Sequence, residues 1–139
     1  LFGWIIAREQ GPQVVAEALT RITSDRWVFL ILLNVSLLLI GMLLEPVAAL
    51  VITVPILLPI AVQYQIDPLL LGVVMILNLV IGLLSPPVGL VLYVLGSVTG
   101  TPVHRVIRGT IPLLLPLIVT LALITFFPAI CLWLPHRLR

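Results

Sequence analysis

Hydrophobic residues in this chain form long, uninterrupted runs. Residues 27–44, 46–66 and 68–103 contain no charged side chain. The first two runs each approach the roughly 20 residues that a membrane-spanning helix needs. No run alternates apolar and polar positions as a half-buried strand would. The pattern predicts an all-α integral membrane protein.

Prolines, glycines and short polar stretches divide the chain into segments. We predict the end of a truncated span at residues 1–7, an interfacial helix at 8–26, a helical hairpin at 27–63, a broken helix at 68–98, a connector at 99–110 and a final transmembrane helix at 111–135. Because the first segment resembles the tail of an upstream span, we expect the chain to be the C-terminal part of a larger protein.

The hairpin has almost no loop, since only Gly41-Met42-Leu43-Leu44-Glu45-Pro46 joins its two arms. Two interpretations fit this turn. Either two full spans meet at the far surface, with Glu45 among the lipid headgroups, or a re-entrant hairpin holds Glu45 at mid-depth. An acidic residue inside a membrane is a functional candidate, here as a helix cap or a gate.

Two features predict the broken helix: the length of the apolar run at 68–98 and the motif Ser85-Pro86-Pro87 within it. A straight helix over residues 68–98 would measure about 46 Å, against a hydrocarbon core of about 30 Å. Each proline lacks an N–H and disfavours helix in the residue before it. We therefore predict half-helices at about 68–82 and 88–98, with the carbonyls of Gly82 and Leu83 deprived of their helical donors.

Unwound backbone at membrane depth is where transporters bind ions and substrates. Hard cations prefer oxygen ligands, so the carbonyls of Gly82 and Leu83 and the Ser85 hydroxyl predict a sodium site. The positive N-terminal end of the second half-helix, near Val88, favours an anion, and Gly89 would let a ligand approach the backbone. The alternative is a proline kink that serves only packing.

Other polar residues are few, because 62% of the chain is hydrophobic and 9% is charged. Asn34 and Asn78 predict hydrogen bonds between helices, with a direct part in the binding site as the alternative. His104 and His136 lie in the connector and the tail, away from Ser85, so an enzymatic serine–histidine pair is not supported. The seven basic residues, all arginine, flank apolar spans and suit interfacial anchoring rather than nucleic-acid binding.

Three motifs resemble the large membrane subunit of tripartite ATP-independent periplasmic (TRAP) transporters, the DctM type. They are the 41–46 turn with Pro55 and Pro59 after it, the stretch from Ile66-Asp67-Pro68 through Asn78 to Gly89, and the 128–135 ending. The resemblance covers essentially all of the chain. The family pattern often has Thr at the position of Ser85, so the hydroxyl is kept.

The resemblance implies a multi-pass permease of the bacterial inner membrane that imports small organic acid anions, such as dicarboxylates or sugar acids, driven by sodium. It implies three partners besides the lipid bilayer: a small DctQ-like membrane subunit, a periplasmic DctP-like binding protein and the organic anion. It also implies an elevator-type ion transporter fold. This chain would form most of the second inverted repeat, with the final helix in the static scaffold.

The same resemblance makes the 41–46 turn a hairpin tip that closes over substrate. The predicted substrate-binding residues are Gly41, Met42, Glu45, Pro46, Asn78, Val88 and Gly89. The predicted sodium ligands, mainly backbone carbonyls, are Gly82, Leu83, Ser85 and Val88. No organic cofactor is expected. Two other functions stay open at this point, an uncoupled channel or exporter-like permease and a non-catalytic membrane assembly subunit.

Overall fold

The computed structural model describes residues 21–22 and 24–138. The predicted segment at 1–7 and residues 8–20 and 23 of the predicted helix at 8–26 lie outside these residues. The part from residue 24 to residue 138 forms six α-helices: α1 Arg26–Leu43, α2 Pro46–Gln63, α3 Pro68–Leu84, α4 Leu90–Thr99, α5 Val103–Phe126 and α6 Ala129–Leu138. Helices α1, α2 and α5 are long and apolar enough to cross a membrane, and α3 and α4 are shorter apolar helices.

An acidic residue precedes each of the first three helices and caps it. Asp25 accepts a hydrogen bond from the Trp27 N–H at 3.2 Å, and Asp67 accepts one from the Leu69 N–H at 2.8 Å. Glu45 caps α2 in the same way. A carboxylate at a helix N-terminus satisfies otherwise unpaired N–H groups and complements the helix dipole. These caps set where the apolar runs become helices.

Helix α3 lies at the centre of the fold and packs against all five other helices. Its buried residues include Leu70, Val74, Met75 and Leu79. They form one core with buried leucines of α1 and α5. Between membrane helices such side chains stabilise the fold through van der Waals packing rather than through removal from water. The first half of the predicted broken helix is therefore the element that organises its neighbours.

The α1–α2 hairpin is closed at its base and open along its length. The rings of Phe29 and Tyr64 stack with centroids 4.4 Å apart. Above this stack, a cleft of about 260 Å³ separates the two arms, lined by Leu32, Leu33, Ser36, Leu37, Ile40, Thr53, Ile56 and Leu57. The hydroxyls of Ser36 and Thr53 both donate to carbonyls of their own helices. The cleft is therefore essentially apolar.

The C-terminal third differs from the prediction in two respects. The connector predicted at 99–110 is shorter, because α5 already begins at Val103, after Gly100 ends α4 with φ +64°. The final helix predicted at 111–135 ends at Phe126, and a separate helix α6 follows Pro128. Proline has no N–H to continue the ladder of α5. Asp67 shares a cavity with His136, so the 63–68 turn and the tail lie on one side.

Candidate ion and substrate site

The predicted break is present, and five non-helical residues, 85–89, separate α3 from α4. The first half-helix reaches Leu84, two residues beyond the predicted end. The Ser85 N–H donates to the Gly82 carbonyl at 3.0 Å. The prediction of a bare Gly82 carbonyl was therefore wrong: Pro86 removes the donor four residues ahead, and Ser85, three ahead, replaces it.

Two other predicted carbonyl ligands do lack donors. Within residues 24–138, neither the Leu83 carbonyl nor the Val88 carbonyl accepts a hydrogen bond. The fourth residue after Leu83 is Pro87, which has no N–H to offer. Backbone carbonyls in apolar surroundings need a partner. Leu83 and Val88 therefore present acceptor oxygens at the two ends of the break.

The Ser85 side chain is oriented to act as an acceptor. It is 8% exposed, and its hydroxyl donates to the Ile81 carbonyl at 2.7 Å. A serine hydroxyl has one hydrogen and two lone pairs. Because the hydrogen is used within α3, the lone pairs stay available for a cation or a donor.

Gly89 is required by the chain's own packing. A Cβ atom at Gly89 would lie 2.8 Å from Leu92 Cδ1 and 2.9 Å from the Ser85 carbonyl oxygen. Room for a ligand, the predicted reason for this glycine, is not needed to explain it and stays a prediction. A direct role of Gly89 in binding stays a prediction.

The N-terminal end of α4 points its positive dipole at the break. Its N-cap is Gly89, and no side chain caps the helix. The Tyr93 hydroxyl donates to the Pro87 carbonyl at 3.1 Å and so fixes the loop from the same helix. An uncapped helix N-terminus with free N–H groups suits an anionic group.

The hairpin tip lies directly against the break. A Cβ atom at Gly82 would be 2.6 Å from the Leu38 carbonyl oxygen and 2.9 Å from Gly41 Cα. Met42 and Pro46 are half-buried beside this crossing. The structure therefore brings one sodium-ligand candidate, Gly82, against one substrate-binding candidate, Gly41.

Glu45 is exposed at the tip, and its carboxylate caps α2. One oxygen accepts from the Val47 N–H and the other from the Ala48 N–H, both at 3.0 Å. The capping role considered for this residue is confirmed. Its direct contact with substrate stays a prediction, and a carboxylate would repel an organic anion.

A buried polar chain joins three helices below the break. The Asn78 amide donates to Asn34 Oδ1 at 2.6 Å, and the Asn34 amide donates to Thr125 Oγ1 at 3.3 Å. The predicted interhelical hydrogen bond of Asn34 and Asn78 is therefore confirmed. The sequence analysis did not identify Thr125, although a hydroxyl in an apolar span is a candidate for such a bond.

Asn78 faces away from the break. Its amide also donates to the Val74 carbonyl at 2.8 Å, one turn towards the start of α3. Its own Oδ1 is buried and has no partner among the described residues. The structure thus places Asn78 in the polar chain with Asn34 and Thr125, and its substrate role stays a prediction.

Comparison with known proteins identifies the family. Residues 1–130 match the DctM component of the tripartite ATP-independent periplasmic transporters. The chain is 47% identical over 136 residues to a sialic acid TRAP transporter large permease, SiaM, of Vibrio cholerae serotype O1, covering 98% of this chain and 32% of SiaM. It is 43% identical over 138 residues to a C4-dicarboxylate TRAP transporter large permease, DctM, of Pseudomonas aeruginosa, covering 99% of this chain and 32% of DctM.

These relatives are named as transporter permeases, and the chain spans about a third of their length. With its apolar helices, the match indicates a multi-pass membrane protein. The chain therefore belongs to the DctM family, the large permease proteins of TRAP transporters.

Proposed function

We propose that this chain provides part of the ion and substrate pathway of a sodium-coupled permease that imports small organic acid anions. The proposed location is the bacterial inner membrane. The proposed partners are a small membrane subunit and a periplasmic binding protein that delivers the anion. The relatives named above handle sialic acid and C4-dicarboxylates. Both are carboxylates, and this supports the substrate class.

The observation that carries the proposal is the backbone contact of Gly41, at the start of the hairpin tip, with Gly82, one turn before the α3–α4 break. Beside this contact lie the unpaired carbonyl of Leu83 and the Ser85 hydroxyl, whose lone pairs are free. These are neutral oxygen donors in buried surroundings, the kind of ligand that a hard cation prefers. Sodium at this point would lie between the end of α3 and the start of α4.

The substrate anion would bind next to the sodium ion. No arginine lies in α1 through α4 beyond Arg26 at the start of α1. The negative charge of the substrate is then met by the uncapped N-terminus of α4 and by the bound cation. This arrangement makes anion binding depend on sodium, which is the basis of coupling.

Helix lengths are compatible with both interpretations of the hairpin, two full spans or a re-entrant pair. Trp27, near the start of α1, stacks on Phe126, the last residue of α5, with ring centroids 5.6 Å apart. From this shared level, α1 with 18 residues rises about 27 Å, and α5 with 24 residues rises about 36 Å. The tip therefore ends about 9 Å short of the far end of α5, a difference that corresponds to residues 103–108 with the exposed His104, Arg105 and Arg108.

In an elevator-type transporter, the hairpin and the broken helix would move together against a static scaffold. The sequence predicted that the final helix belongs to the scaffold. We propose instead that α5 moves with α1 and α3, because Thr125 of α5 is hydrogen-bonded to Asn34 of α1 in a buried position. Sliding α5 past α1 would break this hydrogen bond, at a cost of about 1 kcal/mol, although Asn34 still donates to the Leu30 carbonyl and Thr125 to the Leu121 carbonyl.

The test is uptake by the full-length permease, reconstituted with its small subunit and its periplasmic binding protein. The assay uses the labelled organic acid that the binding protein retains. An inward sodium gradient should drive accumulation, and an equal choline gradient should not. Equal uptake in both would favour an uncoupled channel, and no uptake in either would favour an assembly subunit.

A further inference from the structure

Helices α1 and α3 cross with their main chains in direct contact at two glycines. A Cβ atom on Gly41 would lie 2.8 Å from both the Cα and the carbonyl oxygen of Leu79. On the other side, a Cβ atom on Gly82 would lie 2.6 Å from the Leu38 carbonyl oxygen and 2.8 Å from the Gly41 carbonyl carbon. Because neither glycine has a side chain, the two helices can approach each other this closely.

Backbone atoms line this contact on both sides. A flexible side chain can rotate to accommodate an added methyl group, but a helical carbonyl cannot move without its helix. Close backbone approach at small residues is how membrane helices pack tightly, and Cα–H···O contacts add to it. Any side chain at either position would push α1 and α3 apart.

Two other helical glycines show that the requirement is local. Gly72, in α3, and Gly109, in α5, have no atom within 4 Å of the place where a Cβ would stand. Gly72 shares its helix with Gly82, yet only Gly82 meets another main chain. Gly82 lies where α3 crosses α1, and Gly72 does not.

The two arms of the hairpin are attached differently. At the crossing, α1 touches α3 through backbone atoms, whereas the apolar cleft separates α1 from α2 over Leu37, Ile40 and Thr53. The end of α1 is therefore fixed to the segment that leads into the break. The crossing is one turn or less from Leu83 and Ser85.

We propose that Gly41 and Gly82 are positioning residues for the sodium site. Their contact holds the α1 side of the tip on the end of α3 before any ligand binds. The oxygens of Leu83 and Ser85 are then carried by the end of α3 that the crossing holds in place, within one turn of Gly82. This inference rests on the proposed sodium-coupled function and assigns to the two glycines a steric role rather than direct binding.

Alanine substitutions in the full-length permease test the proposal, with sodium chloride as the probe and choline chloride as its control. Gly41→Ala and Gly82→Ala should each raise the sodium concentration that gives half of the sodium-dependent rise in melting temperature by at least tenfold. Gly72→Ala and Gly109→Ala should leave it within twofold of the wild type. An unchanged value in both crossing variants would overturn the proposal.

If the Gly41 and Gly82 variants do not fold, amide hydrogen exchange of the wild-type permease tests whether the crossing is closed before sodium binds. The amides of residues 38–43 and 79–84 should exchange equally slowly in choline and in sodium. Fast exchange of residues 38–43 in choline that becomes slow only in sodium would show an open tip and overturn the proposal. If sodium changes neither the melting temperature nor the exchange of the wild type, the proposed sodium coupling fails instead.

Discussion

At the scale of single residues, Glu45 shows how a charged side chain is accommodated at the hairpin tip. Both of its carboxylate oxygens accept N–H groups from the first turn of α2. The four N–H groups at a helix N-terminus have no partners within the helix. Glu45 therefore provides acceptors for N–H groups at the start of α2, which the two-residue loop between α1 and α2 would otherwise leave unpaired.

Glu45→Ala should lower the stability of the permease by about 1 kcal/mol, as loss of an N-cap does. Glu45→Gln should cost less, because its amide oxygen still accepts one of the two hydrogen bonds. Thermal unfolding of the two variants beside the wild type measures the effect. Unchanged stability in Glu45→Ala, together with a raised half-saturation for substrate, would show that Glu45 acts by direct binding.

The residues around the break show what local chemistry can and cannot predict. Pro86 and Pro87 place the end of α3 within two residues, because the missing N–H groups act on their own turn. The same reasoning missed the hydrogen bond from Ser85 to Gly82, since a donor three residues ahead can replace one four ahead. Proline position thus predicts where a helix ends more reliably than which carbonyls become free.

At the scale of elements, the polar chain Asn34, Asn78 and Thr125 fixes three helices in register. Asn78 donates a hydrogen bond to Asn34, Asn34 donates one to Thr125, and Thr125 donates one to the Leu121 carbonyl. Buried polar groups in apolar surroundings are costly when unpaired. The chain therefore favours one alignment of α1, α3 and α5 over alternatives shifted by a turn.

Thr125→Val should destabilise the permease by about 1 kcal/mol, because it removes the acceptor of the Asn34 amide while keeping the side-chain volume. Thr120→Val is the matched control, since Thr120 makes the same bond to its own helix, to the Pro116 carbonyl at 2.8 Å, but is exposed. Melting temperatures of both variants report the difference. Equal melting temperatures would mean that the bond between α1 and α5 contributes nothing.

The predictability of the elements depends on their boundaries. Helices α2 and α3 begin where the sequence indicates, because Glu45-Pro46 and Asp67-Pro68 each combine a cap with a proline at the first helical position. The start of α5 was misread as a connector because His104, Arg105 and Arg108 are polar. In the structure these residues are exposed on a helix. A polar stretch in a membrane protein can be an exposed helical end as well as a loop.

At the scale of the whole molecule, α3 unites the hairpin, the break and the last helices into one packed unit. Among the six helices of residues 24–138, α3 is the most hydrophobic, which fits its central position, but the sequence does not show which helices pack against it. The meeting of Gly41 with Gly82 depends on how two helices cross, which no local pattern determines. The prediction that the tip lies opposite the break came from the family resemblance rather than from residue spacing.

If α1 and α5 move as one unit, a link between them should not stop transport. Cysteines at Trp27 and Phe126, whose rings stack, can be joined by a short methanethiosulfonate linker in a permease whose other cysteines, including Cys131, are replaced by serine. The linked permease should keep at least half of the uptake of the same unlinked variant. Uptake that falls upon linking and returns upon reduction would show that α5 moves against α1.

The central claim is that the break between α3 and α4 binds sodium through neutral oxygens, and Ser85 is its most direct probe. The measurement is a sodium titration of the melting temperature of the purified full-length permease, with choline as the control salt. Ser85→Ala should raise the half-saturating sodium concentration at least tenfold, because it removes one ligand oxygen. Ser36→Ala, which removes a hydroxyl with the same 2.7 Å bond to its own helix, should leave that concentration unchanged. Identical titrations for Ser85→Ala and the wild type would contradict the account.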